Sequence, residues 1–384
     1  MKNTTNDLRD MIGAETLSID EKLHSLVIGV NILDAVNPTN FQQQKERFFA
    51  SNFSIEPAFA YAKHGVNAFA VKRDLFNLPV DKIKDQDLQY IYEQVIDSYI
   101  DKIDQFKNIG SGEFLYDSLR YYGEPTDKDI RNAMFILHLP DHGPVEDANM
   151  DAQAIKAYLA EFAHQEGYEH NIVVTEGMVA NALVSGLKVK INQQAKLDVT
   201  EVKALAHHEL GVHLLTTLNA RAQPLKIMSL GLPMNTLTQE GLAILCEYLA
   251  GCLSVKRLKR LALRVIAVDS MIRDRSFKRT FSLLREHYQA DADEAFTICA
   301  RVYRGGGYTK DYVYLQGLHR MLSAYEREPN FNHLLVGKTS IDYLPETTRL
   351  IEKGILLPPQ KLSPALVKPE AIEPVQAFIA HAIK

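Results

Sequence analysis

The stretch His207-His208-Glu209-Leu210-Gly211-Val212-His213 sets three imidazoles and a carboxylate close together on one run of chain. About thirty residues on, Thr238-Gln239-Glu240-Gly241-Leu242-Ala243 adds a second carboxylate at the head of an apolar segment. Neutral imidazoles, one carboxylate and an open fourth position are what a single catalytic zinc ion requires, with a further Glu alongside as general base. This pattern reads as a zinc-dependent hydrolase in which His208, His213 and Glu240 hold the metal and Glu209 is the base.

The spacing of the histidines sets a geometric problem. In the usual short zinc-hydrolase pattern the two His stand four apart and leave one face of a helix together. His208 and His213 stand five apart, which in a regular α-helix turns them about 140° from each other. His207 with His213 is about 120° apart with more axial separation. A π-helical widening brings positions five apart back into line, and Gly211 inside the interval tolerates such a distortion. The spacing therefore predicts a π-bulge, with His207 on a flank. The plain alternative is a set of buried histidines satisfied by backbone carbonyls.

Several elements must position these groups. Asp198 reads as an N-cap, with Glu201 as its capping-box partner, for a long helix with Val202, Leu205, Leu210, Leu214 and Leu218 on its apolar face. Thr238 reads as the cap of the next helix, from Gln239 to about Leu249, which puts Glu240 in the first turn where amide donors and the helix dipole favour a carboxylate. Glu247, on the same face, reads either as an acceptor for a ligand imidazole or as a solvated surface charge. Upstream, Asn171–Thr175 and 186–192 read as strands, the second leading toward the His-Glu helix as an edge on which an extended substrate could pair. Helices are expected over 15–36, 79–108, 126–138, 152–165, 254–270, 274–287, 291–302 and 312–324, with a turn-rich connector at Pro144–Asn149 and a short helix in the Pro-punctuated tail from Pro374. The expected fold class is α+β, mainly helical, with a small sheet beside the active-site helix. Gly110-Ser111-Gly112 is the candidate boundary between an N-terminal helical region (1–110) and a catalytic domain (111–384).

The 384 residues are 46% hydrophobic and 24% charged, with a net charge of −5, which describes an ordinary globular chain and argues against nucleic acid as a partner. Three cysteines in no ligand-type pairing fit a reducing cytoplasm. Met1–Asn6 lacks the apolar run of a signal peptide, and no stretch has the length of a membrane span. A third cluster, Arg301 and Arg304 before the Gly305-Gly306-Gly307 loop and Tyr308 and Lys310 after it, reads as a cationic, hydroxyl-bearing surface suited to a carboxylate.

Taken together, His208-Glu209-Leu210-Gly211-Val212-His213, Asn219, Gln223-Pro224, Gly231-Leu232-Pro233, Gln239-Glu240-Gly241-Leu242-Ala243, Arg304, Tyr308-Thr309-Lys310-Asp311 and Tyr314-Leu315 resemble the bacterial QEGLA-motif proteins, often described as flavohaemoglobin expression-modulating, and their eukaryotic relatives, the microtubule-associated tyrosine carboxypeptidases. The resemblance runs from about residue 20 to 350. It implies a zincin-like carboxypeptidase core with His208, His213 and Glu240 as ligands and Glu209 as base. Gln239 stands where the eukaryotic relatives often have Glu, so the resemblance leaves open whether the terminal tyrosine of tubulin is the preferred substrate.

On this reading the substrate is the carboxyl end of a peptide or protein. Arg301, Arg304 or Lys310 would bind its carboxylate, and Tyr308 would donate to the developing oxyanion. Two other readings keep part of the pattern: a regulatory or binding protein with a non-catalytic zinc site, and a zinc amidohydrolase acting on a small metabolite.

Overall fold

The computed structural model describes residues 11–63, 65–140 and 148–384, which form a mainly helical α+β fold with one three-stranded sheet. Met1–Asn6 and most of the Pro144–Asn149 connector lie outside the described residues. Among the described residues no helix is long and apolar enough to cross a membrane.

Helix Asn235–Leu249 runs through the centre, and every side chain from Leu237 to Leu249 is buried, the polar ones included. It packs against the His-Glu helix on one side and helix Val313–Arg327 on another. The second contact is made by bare backbone. A Cβ on Gly241 would stand 2.4 Å from the Gly317 carbonyl oxygen, and one on Gly317 would stand 2.6 Å from the Leu237 oxygen. Only glycine allows two helices to meet this closely, so Gly241 sets the distance between the helix holding Glu240 and the helix holding Tyr314.

The His-Glu helix is continuous through three pitches: α over Val199–Leu205, π over Ala206–Leu214 and α again over Leu215–Ala222. Asp198 and Glu201 form the expected capping box. Two amides near its far end fasten the tail. Asn219 donates to the carbonyls of Leu335 and Lys361 and accepts from the Lys361 amide, while Gln223 exchanges a pair of hydrogen bonds with Leu357.

The strands are β1 (Asn171–Thr175), β2 (Ala182–Ser185) and β3 (Lys188–Asn192), in the order β1-β3-β2. This corrects the expectation of an edge at 186–192. β3 is central, parallel to β1 and antiparallel to β2, so its backbone is committed on both sides. The strand lying beside the π segment on an outer edge is β2, too short to show a period in the sequence.

Other elements shift for local reasons. The run 15–36 breaks at Gly29 into Ala14–Val27 and Ile32–Ala35, and the tail contains an unexpected helix, Leu344–Glu352. Residues before Gly110 share an apolar cluster with later ones, Leu23, Ile91 and Val95 packing with Leu225, Ile227 and Leu350. Asp20 bridges the same parts, accepting from the Tyr92 hydroxyl and from the amides of Lys226 and Ile227.

Candidate metal centre

The π pitch is what brings the two imidazoles together. Within Ala206–Leu214 each turn takes up about one extra residue, and the rings of His208 and His213 come to 5.0 Å between centroids. Gly211 contributes less by flexibility than by size, since a Cβ there would press on the Ser363 hydroxyl at 3.3 Å. His207 turns away, its ring edge-on to Phe162, and burial pushes it down to about 4, so it stays neutral.

Glu240 enters from the central helix. That helix begins at Asn235, after Met234 in the left-handed region at φ 58°, and not at Gln239 as the sequence suggested. Thr238 is therefore inside the helix, where its hydroxyl accepts from the Ile341 amide. Glu240 sits a turn deeper than expected, beyond the strongest reach of the helix terminus, and a different group holds it. Lys310 Nζ donates to Glu240 Oε1 at 2.6 Å and to the Tyr314 hydroxyl at 3.0 Å. Burial works against the Glu240 charge, and Lys310 with the two imidazoles overcomes it, keeping the carboxyl well below its usual range.

One oxygen of Glu240 is thus fixed by a cation, and the other is aimed at the histidines. Glu240 Oε2 lies 3.5 Å from His208 Nε2 and 3.6 Å from His213 Nε2, and it is buried without a hydrogen bond. These separations are too long for hydrogen bonds. They match the spread of about 3.3 Å between donors that each stand about 2.05 Å from a tetrahedral zinc. All three ligand atoms lie within 4.8 Å of one another. An unpartnered buried acceptor facing two imidazole nitrogens, in a set of two nitrogens and one oxygen, fits a divalent cation of zinc type.

The surroundings orient the set. His208 Nδ1 donates to Glu247 Oε1 at 2.7 Å, which fixes the tautomer that leaves Nε2 with its lone pair toward the triad. Glu247 is in turn gripped by the Arg257 fork at 2.9 and 3.0 Å. Burial opposes a charge on His208, but the facing Glu240 and Glu247 outweigh it and push the imidazole up to about 10. A proton and a cation compete for that nitrogen. On the other side, Lys338 donates to the His213 carbonyl and to Thr216 Oγ1, holding the end of the π segment. Glu209 is 7% exposed and accepts no hydrogen bond among the described residues, and its charge is felt by both His208 and Lys338.

The remaining residues singled out by sequence lie in the interior, not on a surface. Arg301 is 7% exposed and forks onto Asp311 at 2.5 and 3.0 Å. Lys310 belongs to Glu240. Arg304 stacks over the Tyr308 ring at 4.9 Å, and the Tyr308 hydroxyl is shared with Tyr122 in an aromatic cluster. The glycine loop between them is pressed onto its neighbours, a Cβ on Gly305 meeting the Phe114 ring at 2.5 Å. The tyrosine that reaches the triad, through Lys310, is Tyr314, and Arg264 lies over its ring at 5.2 Å. Sequence reasoning quoted Tyr314 without giving it a task and passed over Arg264, Arg257 and Lys338.

Comparison with known proteins places the chain in a family. Structural likeness is slight: a protein of Colwellia psychrerythraea described as a lipoprotein matches with a TM-score of 0.42 and 13% identity, covering 91% of this chain and 75% of that one. The sequence is more telling, because the profile of the microtubule-associated tyrosine carboxypeptidases matches residues 46–384. The chain belongs to that family. Microtubule-associated tyrosine carboxypeptidase 1 of Homo sapiens and that of Rattus norvegicus are each 24% identical to it over 310 residues, 76% of this chain. The chain spans 56% of the length of those relatives.

Proposed function

We propose that this protein is a zinc-dependent carboxypeptidase that removes the last residue from a peptide or protein. The observation that carries the reading is Glu240 Oε2, a buried carboxylate oxygen with no hydrogen bond, held by Lys310 to face the Nε2 atoms of His208 and His213. Membership of a family named for carboxypeptidases supports the choice of bond.

Zinc, when bound by His208, His213 and Glu240, supplies a Lewis acid and a water of lowered pKa. The protein's own residues do the rest. Glu247 and Arg257 keep His208 in the ligand tautomer. Glu209 takes a proton from the attacking water and passes it to the leaving amine. Tyr314 accepts from Lys310 and so keeps its own hydroxyl hydrogen to donate toward the substrate. Tyr308, whose hydroxyl is engaged by Tyr122, is the poorer candidate for that task.

The test is a peptide library read by mass spectrometry, with metal content measured on the same protein. Wild type is expected to contain about one zinc per chain and to shorten peptides by one residue at the carboxyl end. Glu209→Gln should keep the zinc and lose hydrolysis by roughly 100- to 10,000-fold. Full turnover by that variant, or zinc absent from active wild type, would defeat the reading.

A further inference from the structure

Beside the triad lies a group of cations whose charge is not answered. Arg264 from helix Val255–Asp274, Arg301 from helix Ala292–Tyr303, and Arg304 surround a single carboxylate, Asp311, which is wholly buried. Asp311 gives both oxygens to Arg301. Arg264 comes no nearer to it than 4.0 Å, and its buried Nε has no hydrogen-bond partner. Arg304 is 5% exposed, its Nε likewise has no hydrogen bond, and its guanidinium lies over the face of Tyr308. The other carboxylates nearby are occupied, Glu247 by Arg257 and His208, Glu240 by Lys310.

A guanidinium does not give up its proton to relieve such a position, and a buried charge without a partner is costly. Burial and the repulsion of Arg301 push both Arg264 and Arg304 below the usual arginine range. Two guanidiniums that share a distant carboxylate already forked by Arg301, each with an unbonded Nε, call for a further anion, and planar forks suit a carboxylate. The position identifies which carboxylate. Arg264 covers one face of Tyr314, and the Tyr314 hydroxyl is joined through Lys310 to Glu240, so the cluster borders the metal ligands. The side chain of Arg264 keeps 11% exposure, so it is not sealed off as Asp311 is.

We propose that Arg264 and Arg304 form the subsite that binds the terminal carboxylate of the substrate, with Tyr314 between that carboxylate and the metal triad. This rests on the carboxypeptidase reading, and it moves chain-end recognition away from Arg301 and Lys310, which are already paired within the protein.

The experiment uses the full-length, zinc-loaded Glu209→Gln chain. Its melting temperature is followed against increasing concentrations of N-acetyldipeptides with free carboxylates and of the same dipeptides as amides, which yields apparent affinities. The free acids are expected to bind roughly 10- to 100-fold more tightly than the amides, the size expected for charge-assisted hydrogen bonds. That difference should collapse in Arg264→Gln and in Arg304→Gln while zinc content is unchanged. Arg264→Lys keeps the charge without the fork and should retain part of the difference, which covers a glutamine variant that fails to fold. Acids and amides bound alike, neither bound, or a difference that survives in zinc-replete variants would each overturn the proposal. Inorganic phosphate is the control anion: stabilisation by phosphate that Arg264→Gln removes, with acids and amides bound alike, would make this a small-anion site and also overturn it. Turnover is scored separately. A library left uncut by wild type, with acid-selective binding intact, removes the hydrolase reading and supports the carboxylate subsite.

Discussion

Two neighbouring regions of the interior are polar in opposite senses. Around His208, His213 and Glu240 the surplus is of metal-ligating atoms: two imidazole nitrogens and one carboxylate oxygen face each other with no hydrogen bond between them. Around Arg264 and Arg304 the surplus is of donors, with three guanidiniums and one carboxylate. Buried polar groups are as a rule satisfied, so each imbalance fits a partner of one sign, a cation in the first and an anion in the second. Tyr314 and Lys310 form the seam between them.

Three changes break or sharpen that contrast. The largest effect is expected from Glu240→Gln, which removes the anionic ligand and leaves Lys310 buried without its partner. Zinc affinity should fall by well over the roughly 10- to 100-fold typical of losing an outer hydrogen bond to a ligand, and metal analysis after dialysis reads it. Retained stoichiometric zinc would show that Glu240 is not a ligand. Next is Gly241→Ala, which drives a methyl against the Gly317 backbone and so disturbs both regions through the helices that hold them. Overpacking of this kind costs about 1–3 kcal/mol or more, and thermal melts of the zinc-free protein should show it; an unchanged melt would mean the helices part easily.

The smallest is Glu247→Gln. It should weaken zinc by roughly 10- to 100-fold without altering the preference for acids over amides. It also changes the acid response. Burial works to raise the Glu247 carboxyl, but Arg257 and His208 prevail and hold it at about 2 against an ordinary 4.5. A depressed carboxylate stabilises the fold above pH 4.5, and that contribution is lost as pH falls toward 2. Chelator-treated wild type should therefore lose melting temperature steeply between these values, and Glu247→Gln more gradually. Equal slopes would mean that other carboxylates govern acid unfolding.

The π pitch was legible because five-residue spacing and a shared ion are incompatible in a regular helix, so bringing His208 and His213 together required it. Glu247 was legible by its place on the same face as Glu240. The start of the central helix was not. Thr238 has every local mark of a cap, and only the amide of Ile341, a hundred residues on, explains why its hydroxyl is needed elsewhere. Arg264 sits in Lys256-Arg257-Leu258-Lys259-Arg260, Leu261-Ala262-Leu263-Arg264, where it looks like one more charge on a solvated face. Its burial depends on helices that meet it only in three dimensions.

The widened stretch takes up one residue without disturbing the phase of the helix on either side. Deleting Gly211 would leave His208 and His213 four positions apart, so an ordinary α pitch could still gather the ion. Because His213 would keep its place, the α turns after it would keep theirs, and Asn219 and Gln223 would still meet the strap of residues 357–361 that they clasp. The wide turn thus hides a supernumerary residue: the rod gathers two imidazoles at its middle and still clasps a returning segment at its end, as an unbroken α-helix one residue shorter would.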